Sequence, residues 1–245
     1  MKRTMKKFLC FVPTIATLAN LSAGVTAIVL AVYGTPEFGA LMVLAAMLCD
    51  SFDGALARAF DACSDFGGQL DSLADLVSFG VAPGLLVLAS VPESQQLLAT
   101  IAAISMALCA AMRLARYHVN KGDEDSDAGF EGMPTTAAGG CVASTVLIFG
   151  LLVEHGLGVS VLLGPWVVFL FAVLMVSDLK YPHISTIMDR MPTTMAVVIA
   201  VSVGLVALFW VHEIVFFAFF VAYALSGPLL TIRDRVKARR HAGIR

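Results

Sequence analysis

The chain has 245 residues, of which 59% are hydrophobic and 14% charged, with a formal net charge of −2 and a mean hydropathy of +0.88. Soluble domains average about 25% charged residues, so this composition excludes an ordinary water-soluble enzyme. Apolar stretches recur along the whole length and do not gather at the start, which excludes a secreted protein with one signal peptide, and no nucleic-acid partner is expected.

In chain order, Lys2, Arg3, Lys6 and Lys7 alternate with Met5, Phe8, Leu9 and Phe11. That pattern suits a short helix on an anionic leaflet, and equally a charge cluster that only sets topology; residues 1–12 are read as a cytoplasmic interfacial segment. A helix needs about 20 apolar residues to cross a bilayer. Stretches of that kind centre on Thr14–Tyr33, Phe38–Ala59, Asp71–Ser90, Gln95–Ala115, Thr135–Val153, Gly158–Val176, Thr193–Trp210 and Ile214–Ile232. The fold class expected is therefore all-α, a polytopic membrane protein of about eight transmembrane helices. Residues 13–232 are expected to form its transmembrane domain and residues 233–245 a basic tail. Turn signals mark the joints, including Gly34-Thr35-Pro36, Gly67-Gly68, Pro92, His155-Gly156, Tyr181-Pro182 and Met191-Pro192.

All 16 Lys and Arg fall at the N-terminus, the C-terminus or alternate joints, and the joints around Pro36, Pro92, His155 and His212 contain none. Positive charge accumulates in cytoplasmic loops, so both termini are expected in the cytoplasm. The five cysteines lack a C-x-x-C pair and read as packing residues. The five histidines fall at span ends, joints or the tail and read as solvated.

The chemistry is concentrated in four aspartates. Asp50 and Asp53 are spaced i, i+3 and Asp71 and Asp75 i, i+4, so each pair projects from one helix face. An ionisable group inside a span costs about 2.5–3.5 kcal/mol on insertion scales and usually faces a cavity with a function. A short connection from Phe60 to Gly68 would turn the second span back into the third, bringing both pairs together near the cytoplasmic end. Clustered carboxylates repel unless protons or cations neutralise them. Oxygen-only ligands select a hard cation, Mg²⁺, Mn²⁺ or Ca²⁺, which can clamp a diphosphate. Gly54 and Ala57 leave room beside the carboxylates, Arg58 can meet a phosphate, and Gly67 and Gly68 open the turn into the third span.

Asp50-Ser-Phe-Asp53-Gly54-Ala55-Leu56-Ala57-Arg58, then Gly67 after eight intervening residues, then Asp71 and Asp75, reproduce the pattern D-x-x-D-G-x-x-A-R-x8-G-x3-D-x3-D. This resembles the signature of the CDP-alcohol phosphatidyltransferase family. The resemblance implies a six-helix catalytic core, commonly a homodimer in membrane lipid, with a polar cavity opening to the cytoplasm. It implies that Asp50, Asp53, Asp71 and Asp75 hold two metal ions, Mg²⁺ or Mn²⁺ with Ca²⁺ as a further occupant, and that Asp75 doubles as general base. It assigns CDP binding to Asp53, Gly54, Ala57, Arg58 and Gly67. Asn20, polar in an apolar span, contacts nucleotide or makes an interhelical hydrogen bond.

Three further segments resemble the serine-transferring branch of that family: Asp71 through Asp75 to Gly80 and Pro83, Arg113-Leu-Ala-Arg116-Tyr117, and Phe130-Glu-Gly132-Met-Pro134. Val176-Ser177 and Tyr181-Pro182 match less distinctly. The implied substrates are CDP-diacylglycerol and L-serine. Arg113 and Arg116, at i, i+3, could meet a serine carboxylate or a lipid phosphate through their planar forks, or simply anchor the helix end by snorkelling. Phe130, Gly132 and Pro134 would re-enter beside the site. Other acceptors within the family stay open: glycerol phosphate, inositol or its phosphate, and choline. So does an ether-lipid donor. An ion-coupled transporter predicts charge at mid-membrane, broken helices there and an internal repeat, and the sequence has none of these.

Overall fold

The computed structural model describes residues 11–59, 65–120, 132–179, 181 and 212–242. All regular structure there is helical, as lipid requires of a backbone that must satisfy its own hydrogen bonds. The elements are α1 (Phe11–Val32), α2 (Pro36–Ala59), α3 (Asp65–Asp75), a π-helical turn (Leu76–Val81), α4 (Ala82–Ser90), α5 (Gln96–Asn120), α6 (Thr135–Glu154), α7 (Gly164–Val176) and α8 (His212–Ala242). Short 3₁₀ turns at Glu93–Gln95 and Gly158–Leu163 precede α5 and α7. Among the described residues, four stretches are long and apolar enough to cross a membrane: Thr14–Val32, Phe66–Ser90, Glu93–Tyr117 and Thr135–Glu154. Val161–Val176 and Glu213–Leu229 are shorter apolar helices. The protein is an all-α polytopic membrane protein. The expected span Thr193–Trp210 lies outside the described residues, as do residues 1–10.

Two of the expected joints close in the same way. Gly34 takes φ 74° and Gly156 φ 80°. At the first, Gly34 N–H donates to Ala31 and Thr35 N–H to Leu30; at the second, Gly156 N–H donates to Val153 and Leu157 N–H to Leu152. These paired bonds satisfy the last carbonyls of α1 and α6 around a left-handed glycine. Pro36 then starts α2, where a missing N–H costs nothing.

The third span departs from expectation. Its described part runs from Asp65, so Gly67 and Gly68 lie inside α3 and not in a turn before it. Its middle also widens into the π-helical turn directly after Asp75. A wider turn needs room, and the neighbours supply it. A Cβ on Gly24 of α1 would stand 2.7 Å from Ser78 Cα, and one on Gly139 of α6 would stand 2.9 Å from Phe79 Cα. Gly80 faces α5 most closely at the methyl of Ala110.

Packing is inverted in size relative to a soluble helix. On α5, Ala99, Ala102, Ala103, Met106 and Ala110 are buried, while Leu97, Ile101, Ile104, Leu108 and Met112 are exposed toward what would be lipid. Small residues let backbones approach where no water drives association. At the other end of the chain, Pro228 inside α8 donates no hydrogen bond to Ala224, and that carbonyl instead receives the Tyr181 hydroxyl at 3.4 Å. The Tyr181 ring lies on Gly227 and 5.8 Å from the Tyr223 ring, which ties α8 to the chain just beyond α7. Cys141 is buried with its Sγ 3.5 Å from the Phe220 carbonyl, a packing role; Cys49 and Cys109 are free thiols.

Candidate active site

Asp50 comes from α2, Asp71 from α3 and Asp75 from the last position of α3. All three are half-buried, and one carboxylate oxygen from each lies within 4.8 Å of the others. That spacing fits ligands of a hard cation, and without one the like charges would oppose each other. The i, i+4 spacing puts Asp71 and Asp75 on one face of α3, while α2 contributes Asp50 from a neighbouring helix.

Asn20 is fully buried on α1, and its Nδ2 donates to Asp75 Oδ1 at 3.1 Å. Asn20 is fixed in turn: the buried Ser78 hydroxyl donates to its backbone carbonyl at 3.1 Å. The π-helical turn places Ser78 three residues after Asp75 yet against α1, so α1 grips both the carboxylate and the turn that follows it. Of the two roles open to Asn20, the geometry supplies the interhelical hydrogen bond. Its Oδ1 is buried with no hydrogen-bond partner among the described residues, leaving one acceptor beside the carboxylates.

Arg113 of α5 is half-buried and donates from Nη1 to Thr135 Oγ1 at 2.8 Å. Its guanidinium is within electrostatic reach of Asp75, Tyr223 and Tyr117. Arg116, one turn on, is 47% exposed and only 4.0 Å from Asp178, which is 85% exposed. Gly132 adopts φ 88° and donates to the Leu179 carbonyl at 2.9 Å, while Met133 N–H donates to Leu174 at 3.0 Å. Pro134 leads into α6. Gly67 is half-buried in α3. The side chains of Asp53, Gly54, Ala57 and Arg58, on the last turns of α2, lie outside the described residues, and so does Phe130.

The sequence pattern from Asp50 to Asp75 thus falls on facing helices whose carboxylates converge. A family model for CDP-alcohol phosphatidyltransferase matches residues 10–177. The chain belongs to the CDP-alcohol phosphatidyltransferase family. It is 31% identical over 175 residues to a CDP-diacylglycerol–serine O-phosphatidyltransferase of Bacillus subtilis, covering 71% of this chain and 90% of that protein. A protein of the same name from Methanocaldococcus jannaschii is 35% identical over 166 residues, 68% of this chain and 71% of the relative. An archaetidylserine synthase of Methanothermobacter thermautotrophicus is 30% identical over 183 residues, 73% of each. The protein is therefore an enzyme of this membrane-bound transferase family, whose divalent metal use agrees with the acidic cluster.

Three contributors were not singled out from the sequence: Thr135, Ser78 and Tyr223. Each is a common residue in an apolar helix, and only the crossing of two helices gives it a partner.

Proposed function

We propose that the protein transfers the phosphatidyl group of CDP-diacylglycerol to the hydroxyl of L-serine, giving phosphatidylserine and CMP. The observation that carries this reading is the convergence of Asp50, Asp71 and Asp75, with Arg113 within electrostatic reach of Asp75. The carboxylates suit a diphosphate with its cations, and the guanidinium suits the carboxylate of an amino-acid acceptor. The names of the relatives from Bacillus subtilis and Methanocaldococcus jannaschii agree with serine as that acceptor.

Asp50, Asp71 and Asp75, joined by Asp53, would hold two divalent cations, Mg²⁺ or Mn²⁺, with Ca²⁺ as a further occupant. When bound, such ions neutralise the diphosphate and the charge on the departing phosphate. Asn20 holds Oδ1 of Asp75 and so sets the plane of its carboxyl group. Asp75 takes the proton of the serine hydroxyl as that oxygen attacks the lipid-bearing phosphorus; the new P–O bond forms as the bond to CMP breaks, and CMP leaves with the electron pair. Arg113 receives the serine carboxylate, with Arg116 and the Phe130–Pro134 segment at the rim. Gly54, Ala57, Arg58 and Gly67 seat the CDP moiety. The basic residues confined to alternate joints support a site and both termini facing the cytoplasm, with residues 1–12 at the interface, 13–232 as the catalytic domain and 233–245 as the basic tail. A homodimer in membrane lipid follows from the family resemblance.

The test is CMP release by detergent-purified protein given CDP-diacylglycerol and Mg²⁺ or Mn²⁺, with serine, glycerol 3-phosphate, inositol or choline in separate reactions. Serine-dependent release that a chelator stops is expected. Release with another alcohol alone would overturn the acceptor assignment and leave the family chemistry. A CDP-lipid with ether chains belongs in the same series, because one relative is named for an archaetidyl product.

A further inference from the structure

Arg113 and Arg116 stand one turn apart on α5, and only Arg113 is held by a buried group. Its Nη1 donates to the hydroxyl of Thr135, a residue 1% exposed at the first position of α6. The backbone that carries Thr135 is itself pinned to the chain around the end of α7, through Gly132 N–H to Leu179 and Met133 N–H to Leu174. Met133 is fully buried between these points. Gly132 cannot be replaced without collision, since a Cβ there would stand 3.0 Å from the Ser177 carbonyl oxygen and closer still to that of Met175. The hydroxyl therefore sits on a part of the backbone that two hydrogen bonds and a buried side chain keep from moving.

We propose that Thr135 is a positioning residue that fixes the Arg113 guanidinium for the acceptor alcohol. The inference rests on the acceptor-side role given to Arg113 above. A free arginine side chain samples many rotamers, and part of that freedom must be lost each time it meets a ligand. A partner that holds it in advance removes that cost from binding. The chemistry of the partner matters. A carboxylate in place of that hydroxyl would add a second negative charge to a guanidinium already within reach of Asp75, and would compete with an anionic ligand. A hydroxyl takes one of the five N–H donors and leaves the positive charge intact. Asp178 does the opposite for Arg116: it is charged, solvated and 4.0 Å away.

The experiment compares Thr135→Val, which keeps the shape and removes the acceptor oxygen, with Thr135→Ser, which keeps the oxygen. Both are assayed by CMP release with whichever alcohol the wild-type protein turns over, so that a wrong acceptor assignment and a wrong role for Thr135 give different results. Thr135→Val is expected to raise the KM for the alcohol about tenfold, as loss of a hydrogen bond to a charged group does, with kcat and the KM for CDP-diacylglycerol within about twofold. Thr135→Ser is expected to restore that KM to within about threefold of wild type. An unchanged alcohol KM in Thr135→Val would overturn the proposal. So would an equal loss in every kinetic constant together with a lower melting temperature, the mark of a purely structural residue. If Thr135→Val does not fold, the serine variant and Thr135→Ala carry the same comparison, the alanine variant being expected to behave as valine would. Wild-type protein that turns over another alcohol but not serine would overturn the acceptor named above and leave the role of Thr135 to be decided by these variants.

Discussion

The two ends of the helix bundle both carry acidic residues, and they use them differently. At one end Asp50, Asp71 and Asp75 bring their oxygens within 4.8 Å of one another, backed by a fully buried Asn20. At the other, Glu37, Glu154 and Glu213 line a cavity of about 560 Å³ between α2, α6 and α8, without meeting in such a group among the described residues. Glu37 and Glu154 are exposed. What separates the two ends is the layer behind the carboxylates. Asn20, Ser78 and the π-helical turn hold an aspartate where its neighbours repel it, whereas Glu37 and Glu154 are exposed and Glu37 lies beside Gly150. Charge held in place against its own repulsion is the feature that marks the working end.

The largest effect should come from breaking that cluster. Asp50→Asn or Asp71→Asn is expected to reduce CMP release more than about a hundredfold while leaving the melting temperature of the purified protein near that of wild type, since each removes a metal ligand and relieves repulsion. Glu37→Gln at the other end is expected to stay within about twofold, as surface substitutions usually do. An active Asp71→Asn enzyme, or an inactive Glu37→Gln enzyme, would break the contrast.

The supporting layer should give the next largest loss. Asn20→Ala is expected to lower kcat about ten- to hundredfold, the usual range for groups that orient metal-site ligands. Asp75→Asn should slow the chemical step more than it weakens CDP-lipid binding, read by single-turnover CMP release against equilibrium binding. An Asn20→Ala enzyme with normal kcat and a raised KM for CDP-diacylglycerol would move Asn20 to the nucleotide contact that its place in an apolar span also allowed.

How far the sequence foretold this follows from the kind of signal each feature leaves. The aspartates were legible because charge in an apolar run is costly and their spacings fix a helix face. The joints at Gly34 and Gly156 were legible because a left-handed glycine is written in the chain itself. The π-helical turn after Asp75 was not: Leu76 to Val81 is an apolar run like any other, and the room it needs is supplied by Gly24, Gly139 and Ala110 on three other helices. The helical setting of Gly67 and Gly68 was missed for a related reason, because two successive glycines read as a turn and are tolerated inside a helix that packing stabilises. The pairing of Arg113 with Thr135 depends on a crossing of α5 and α6, and neither residue announces it.

Packing around the π-helical turn gives a smaller and separable effect. Gly139→Ala would drive a methyl into the backbone of Phe79, with contacts of 2.8–3.0 Å that a backbone cannot easily yield. The expected cost is about 1–3 kcal/mol of stability, seen as a lower melting temperature in detergent. Gly68→Ala, where a Cβ meets open space, should leave the melting temperature unchanged or raise it slightly. If both variants melt alike, the close approach of α6 to the turn is not what holds it.

The smallest effect belongs to Arg116, and it sharpens the division within the site itself. Its pair with Asp178 joins two solvated groups 4.0 Å apart, an arrangement worth at most about 1 kcal/mol. Arg116→Ala is therefore expected to change the KM for the acceptor by no more than about threefold, and raising the salt concentration should remove even that difference, because exposed charges are screened. Arg113, half-buried and fixed by a neutral hydroxyl, should be far less sensitive to salt. A strong, salt-independent defect in Arg116→Ala would mean that the second arginine reaches the ligand as well, with its link to Asp178 broken when substrate binds.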